Sequence, residues 1–137
     1  MIVIDEYLAV AVAGGDWRSG LIDEDLGLPA SRHWRLLQAL HGQRGGRLAA
    51  VMAQLSPAGL DIVRHPHPEI LQVLDPRSLL DQAAILAARY GGTGLLTAET
   101  LAAGITHGEL YFGLATNVGR LLERAADELG IAIRIAT

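Results

Sequence analysis

The sequence predicts an α/β fold, a three-layer α/β/α sandwich around a mostly parallel central sheet. Short apolar runs suited to strands, at residues 1–4, 110–117 and 131–136, alternate with longer segments of helical periodicity. Such alternation is typical of parallel sheets, because each parallel pair of strands needs a crossover connection. The length of 137 residues fits one domain over residues 1–137.

The first half of the chain predicts one strand and four helices. Residues 1–4 are apolar and mostly β-branched, which indicates a buried strand that ends at Asp5. Residues 16–30 are acidic and rich in turn formers, so we expect a loop or a short irregular element there. Ser31 is the expected N-cap of the helix that follows. The four helices are expected over residues 6–13, 31–41, 47–54 and from Pro57 onward.

The second half predicts two well-defined strands and three helices. Residues 65–76 are bracketed by prolines and predict a strand or an extended segment. Residues 77–90 form the clearest helix, and their small residues make a packing face that suits a homodimer. Thr93 or Thr97 is the expected cap of the next helix. The remaining elements are expected as a strand over 110–117, a helix from Gly119 to Leu129 and a strand over 131–136.

Composition excludes several classes of protein. Half of the residues are hydrophobic and the mean hydropathy is +0.29, yet no run reaches the roughly 18–20 apolar residues of a membrane span. Acids at positions 5 and 6 stand where a signal peptide carries basic residues, and there is no cysteine for a disulfide. We therefore expect a cytoplasmic protein without membrane contact. The net charge of −4 disfavours general attraction to nucleic acid.

Polar residues follow the predicted strands where those strands end. Asp5 and Glu6 follow the first strand, Asn117 ends the strand over 110–117, and Glu99 is expected to open a helix near the same edge. Chemistry in open parallel sheets collects at the carboxyl ends of the strands, so we expect these side chains to face one cleft. Mg²⁺ takes oxygen ligands, often one or two carboxylates. Helix capping and turn formation explain the same residues without a metal.

Three stretches resemble the PIN domain, the fold of the VapC-type toxin ribonucleases. MIVIDEYLAV (1–10) matches the family's first strand and its aspartate. AETLAAG (98–104) matches the later acidic helix, with Glu99 in place of the usual Asp. LATNVGRLLERAADELGIAI (114–133) matches the strand end, the last helix and the last strand. The resemblance lies in order and spacing, and it spans most of the chain.

This resemblance implies an endoribonuclease that depends on Mg²⁺ or Mn²⁺ and is the toxin of a type II toxin–antitoxin pair. Its partners would be an RNA substrate and a cognate antitoxin protein. The catalytic residues implied by the matched positions are Asp5, Glu6, Glu99 and Asn117, with Asp5 and Glu99 as the metal ligands.

Substrate contacts are expected beside that site. Arg32 and Arg35 stand about one helical turn apart and are suited to phosphate, and Thr116 precedes Asn117. The alternative is that both arginines cover a helix surface or pair with acids among residues 23–25. The aromatic residues Trp34, Tyr111 and Phe112 are expected in the core or in an interface.

Departures from the family's pattern keep other functions open. The family's further acid would fall within residues 31–40, where Arg35 and Gln38 stand instead. The chain is therefore also a candidate for a PIN-like module that has lost nuclease activity and binds or regulates a partner. A third candidate is a small α/β homodimer whose acids only cap helices. A second alignment would bring Asp81 into the site with Glu99 and remove Asn117.

Overall fold

Five parallel strands form one central sheet in the computed structural model, which describes residues 1–16, 21, 24–42 and 46–136. The strand order is β3-β2-β1-β4-β5, so the direction of winding reverses between β1 and β4. Helices cover both faces, which confirms the predicted α/β sandwich. The strands are β1 (Ile2–Ile4), β2 (Leu26–Leu28), β3 (Gln72–Val73), β4 (Glu109–Phe112) and β5 (Ala132–Ile135).

The described residues form seven α-helices in two layers. One hydrophobic cluster joins the first four helices to Ile2 and Ile4 of β1. A second cluster joins the last three to Val3, because successive side chains of a strand point to opposite faces. The helices are α1 (Glu6–Ala13), α2 (Ala30–Leu40), α3 (Arg47–Met52), α4 (Pro57–Arg64), α5 (Leu80–Arg89), α6 (Leu95–His107) and α7 (Arg120–Leu129), and 3₁₀ turns span Pro76–Ser78 and Ala115–Asn117.

The predicted loop over 16–30 was wrong in its last third, because β2 lies there and pairs with β1. Residues 17–20, 22 and 23 of that loop lie outside the described residues. The strand is only three residues long and has a central glycine, so it lacks the pattern by which strands are predicted. Gly27 packs closely: a Cβ atom there would lie 2.7 Å from the Met1 sulfur and 3.0 Å from Leu74, so both side chains would have to move.

Several predicted boundaries also move. Helix α2 begins at Ala30 after Pro29, so Ser31 is inside the helix and is not its N-cap. Helix α6 begins after Gly94, which places Glu99 in its second turn rather than at its start. Strand β4 ends at Phe112, and Asn117 belongs to the 3₁₀ turn that follows. The strand alternative for residues 65–76 is confirmed by β3.

The helices are short relative to a bilayer. In the part of the chain that the structure describes, none is both long enough and apolar enough to cross a membrane.

Candidate functional site at the carboxyl edge of the sheet

The predicted polar cluster forms where the winding of the sheet reverses. Asp5 follows β1, and Gly113 follows the neighbouring strand β4. The backbone N–H of Asp5 continues the pairing by donating to the Tyr111 carbonyl at 3.2 Å. Open α/β sheets bind their ligands at such a reversal point, so this edge is the candidate functional site.

Asp5 is buried and satisfied by three donors. Its Oδ1 atom caps α1 by accepting the Leu8 N–H at 2.9 Å, and it also accepts the Gly113 N–H at 2.9 Å. Its Oδ2 atom accepts the Asn117 amide at 2.9 Å. Burial raises the pKa of Asp5 above its ordinary 3.8, although these three hydrogen bonds act in the opposite direction. The carboxylate therefore has a structural task as the cap of α1.

Glu6 is buried beside Asp5 but meets positive charge. Its Oε1 atom accepts Arg32 Nη1 at 2.6 Å and the Asn117 amide at 2.9 Å. Its Oε2 atom accepts a short hydrogen bond from Arg35 Nη1. Burial alone would raise the pKa of Glu6, but the Arg32 charge, helped by Arg35, outweighs it and holds the pKa below its ordinary 4.5. Glu6 is thus ionised and paired twice.

Arg32 is the buried cation of the cluster, with 1% of its surface exposed. Its Nε atom donates to Thr100 Oγ1 at 2.8 Å, and its guanidinium lies 5.1 Å from the centre of the Phe112 ring. Hydrogen bonding and a flat aromatic contact both suit a guanidinium better than an ammonium group. Arg35 differs because 36% of its side chain is exposed, so it closes the cluster on the solvent side.

Glu99 joins the cluster indirectly, through α2. Its Oε1 atom accepts both the backbone N–H and the hydroxyl of Ser31, each at 2.8 Å. The Ser31 N–H belongs to the first turn of α2, where helix N–H groups have no partner within the helix. The carboxylate of α6 therefore satisfies the start of α2 from across the fold. Consecutive residues of α6, Glu99 and Thr100, bind consecutive residues of α2.

The remaining predicted residues have separate outcomes. Asn117 bridges the two adjacent acids through its amide nitrogen, and its Oδ1 atom lies 3.4 Å from Arg35 Nη1. Thr116 is exposed, and Asp81 is exposed in the first turn of α5. Within the described ranges, neither side chain forms a hydrogen bond or ion pair with the cluster. Trp34, expected in the core or an interface, is 61% exposed.

Nitrogen donors engage both carboxylates that follow β1. Every oxygen of Asp5 and Glu6 already accepts at least one N–H group. Mg²⁺ needs oxygen ligands with free lone pairs in near-octahedral geometry. In the portion of the chain that can be described, no three His, Cys, Asp or Glu side chains group so that they could hold a metal ion.

Sequence reasoning found the acids and the amide but missed their partners. Arg32 and Arg35, which were predicted to contact phosphate or to pair with acids, both donate to Glu6. Of the other acids proposed to pair with them, Asp23 lies outside the described residues. Gly113 and Thr100 were not singled out. A Cβ atom at residue 113 would lie 2.8 Å from the Leu8 nitrogen, so only glycine lets β4 approach the start of α1 this closely.

Comparison of the chain with known protein families, with curated proteins and with solved structures finds no match.

Proposed function

We propose that this protein is a PIN-like module that binds a partner and does not hydrolyse RNA. The observation that carries the proposal is the double arginine contact of Glu6, the carboxylate just after β1. Both guanidinium groups come from α2, the segment in which the family's further acid would lie. Positive charge therefore stands where a metal-dependent nuclease needs negative charge.

Freeing Glu6 for a metal would be costly. Glu6 and Arg32 are 0% and 1% exposed, and removing one partner of such a buried pair costs about 3–5 kcal/mol. A cation would also displace the amide of Asn117 from both acids. These contacts support a cluster whose work is to hold α1, α2 and β4 together at the sheet edge.

Metal binding and RNA cleavage test the proposal. We expect no saturable heat when Mg²⁺ or Mn²⁺ is titrated to about 10 mM, well above the range of dedicated metal sites. We also expect no cleavage of single-stranded or structured RNA in the presence of either metal. The readouts are isothermal calorimetry and gel analysis of end-labelled RNA.

Matched variants make the result decisive. Asp5→Asn with Glu99→Gln removes the two proposed metal ligands, whereas Asp75→Asn changes an exposed carboxylate outside the cluster. Cleavage that is lost in the double variant and kept in Asp75→Asn would overturn the proposal.

A Mg²⁺- or Mn²⁺-dependent endoribonuclease, the toxin of a toxin–antitoxin pair, is the second candidate. It is favoured by the convergence of Asp5, Glu6 and Asn117 at the reversal point of the sheet. In this candidate Asp5 and Glu99 would hold the metal, and RNA and a cognate antitoxin would be the partners. Both candidates assume the cytoplasmic location expected from the sequence.

A homodimer is part of either candidate. Leu80 on α5 and Leu95 on α6 are 46% and 57% exposed, and they line an apolar groove of about 270 Å³ between the two helices. Pairing with a second copy would remove this apolar surface from water. Sedimentation equilibrium measures the mass directly, and the mass of a single chain at every concentration would exclude the dimer.

A further inference from the structure

Charge is distributed very unevenly along the chain. Residues 30–67, here called the basic segment, contain five of the eleven arginines and four of the five histidines but only one of the fifteen acids, Asp61. Its formal charge is therefore +4, while the rest of the chain carries −8. The basic segment includes α2, α3 and α4, all in the same helical layer. Arg32 is buried against Glu6, so the fully exposed charges that α2, α3 and α4 present are those of Arg47 and Arg64, against the one acid Asp61.

Two arginines of this surface have no internal task. Arg32 and Arg35 are committed to Glu6. Arg47, at the start of α3, and Arg64, at the end of α4, are exposed. Among the described residues neither forms an ion pair. The unpaired guanidinium groups are available to an external anion.

An apolar groove lies between the same three helices. Its volume is about 260 Å³, and its lining residues are Ala39, Leu40, Ala49, Met52, Ala53 and Leu60. Arg64 stands four residues after Leu60, which puts it on the same side of α4. The surface combines cations with places for apolar side chains.

We propose that the face formed by α2, α3 and α4 docks an acidic protein segment with at least one aliphatic anchor residue. This inference rests on the proposed function as a binding module and identifies its partner surface. Carboxylates of the segment pair with Arg47 and Arg64, and the anchor enters the groove. Charge complementarity selects the partner, because two exposed arginines of the basic segment face only one acid in that segment, whereas the rest of the chain carries −8.

The lining of the groove favours a protein partner over a nucleic acid. Its six residues carry only aliphatic and thioether side chains, which suit a leucine or methionine and offer phosphate no side-chain donor. The remaining −8 charge of the chain also repels a long polyanion, whose binding would require a more extended basic track. A short segment needs only the two free arginines and the groove.

Fluorescence anisotropy with a defined peptide tests this surface. The probe is a labelled amphipathic helix of about 14 residues with glutamates on one face and leucines on the other. We expect saturable binding that weakens at least about tenfold in Arg47→Glu with Arg64→Glu, and also in Ala53→Glu, which places a carboxylate at the groove. Peptides with Gln for Glu, or Ser for Leu, should bind at least about tenfold more weakly as well.

The matched control is Arg120→Glu with Arg124→Glu on α7. These arginines are also exposed, and the control changes the net charge equally, so we expect less than about a threefold effect on the peptide. No binding at about 1 mM peptide, or equal losses in both pairs of variants, would overturn the proposed surface. Tighter binding of a labelled uridine-rich RNA than of the peptide would also overturn it, in favour of a nucleic-acid partner.

The two proposals fail separately. Metal-dependent cleavage of RNA would contradict the proposal of a non-hydrolytic module, whether or not the peptide binds. If the protein neither binds metal nor cleaves RNA, and also does not bind the peptide, the proposal of a non-hydrolytic module stands and the proposed docking surface is wrong. Circular dichroism and thermal unfolding of each variant verify that a loss of binding does not come from a loss of fold.

Discussion

The two helical layers of the sandwich bury different kinds of side chain. The layer of α5, α6 and α7 packs a hydrophobic cluster, and its buried Glu99 and Thr100 reach across the sheet edge to α2. The layer of α1 to α4 packs a similar hydrophobic cluster but also encloses the ion pair of Glu6 with Arg32. Hydrophobic packing is shared by both layers, and the buried ion pair belongs to one of them.

This difference separates two effects. Hydrophobic packing stabilises the fold in general, whereas the buried ion pair selects one arrangement of the helices. Hydrophobic packing tolerates substitutions that keep volume, so the layer of α5 to α7 depends mainly on shape. A buried ion pair adds little net stability over apolar residues of the same size, but breaking it is costly. The pair therefore specifies how α1 and α2 meet at the sheet edge, and the predictions below probe that distinction.

The largest effect is expected from Glu6→Gln. The substitution keeps the size of the side chain but leaves the buried guanidinium of Arg32 without a counter-ion, and we expect a loss of about 3–5 kcal/mol in the free energy of unfolding. Urea denaturation monitored by circular dichroism gives this quantity. A loss below about 1 kcal/mol would mean that the cluster is open to water and does not define the edge.

Two controls accompany that measurement. Asp75→Asn removes the partner of Arg77 in a fully exposed ion pair, so the urea midpoint should not change. Glu6→Met with Arg32→Met replaces the buried pair by apolar side chains, and it should recover much of the stability lost in Glu6→Gln. Failure of this double variant to recover stability would show that Arg32 matters for its contacts with Thr100 and Phe112 rather than for its charge.

Strong hydrophobic periodicity made most of the fold predictable, whereas short or irregular elements were missed or misplaced. The helix at α7 and the strands β1 and β5 were predicted from their patterns alone. Strand β2 was missed because its sequence, Leu-Gly-Leu, has a central glycine and no β-branched residue, unlike the equally short β1. The start of α6 was misplaced because its cap, Gly94, has no side chain that could mark it.

The site was predictable in its acids and not in its pairing. Acids at strand ends must converge in a parallel sheet, which is why Asp5, Glu6 and Asn117 were placed together. The arginine that neutralises Glu6 lies 26 residues away, and nothing local in the sequence specifies such a contact. Arg32 and Arg35 at one-turn spacing suit a phosphate, an acid or solvent equally well, so only the tertiary packing decides among them.

The contributions of the adjacent acids Glu6 and Asp5 to the free energy of unfolding should change with pH in opposite directions. Glu6 has a lowered pKa, so the unfolded chain binds more protons below 4.5, and the stability from Glu6 is lost as the pH falls through that region. Asp5 has a raised pKa, so the folded chain binds more protons above 3.8, and stability falls as the pH rises from there to the folded pKa.

The smallest effect follows from these signs and is measured as a difference between variants. Asp5→Asn removes the titration of Asp5. The free energy of unfolding of the variant, relative to that of the native chain, should therefore rise steadily between about pH 4 and the folded pKa of Asp5. Gly104→Ala is the control from the apolar layer, since its Cβ atom would lie 2.9 Å from Ile131 and destabilise by crowding alone. Urea unfolding across this range should give a sloping difference for Asp5→Asn and a flat one for Gly104→Ala. A flat difference for both would mean that burial does not raise the Asp5 pKa, and that the charged layer differs from the apolar one only through Glu6.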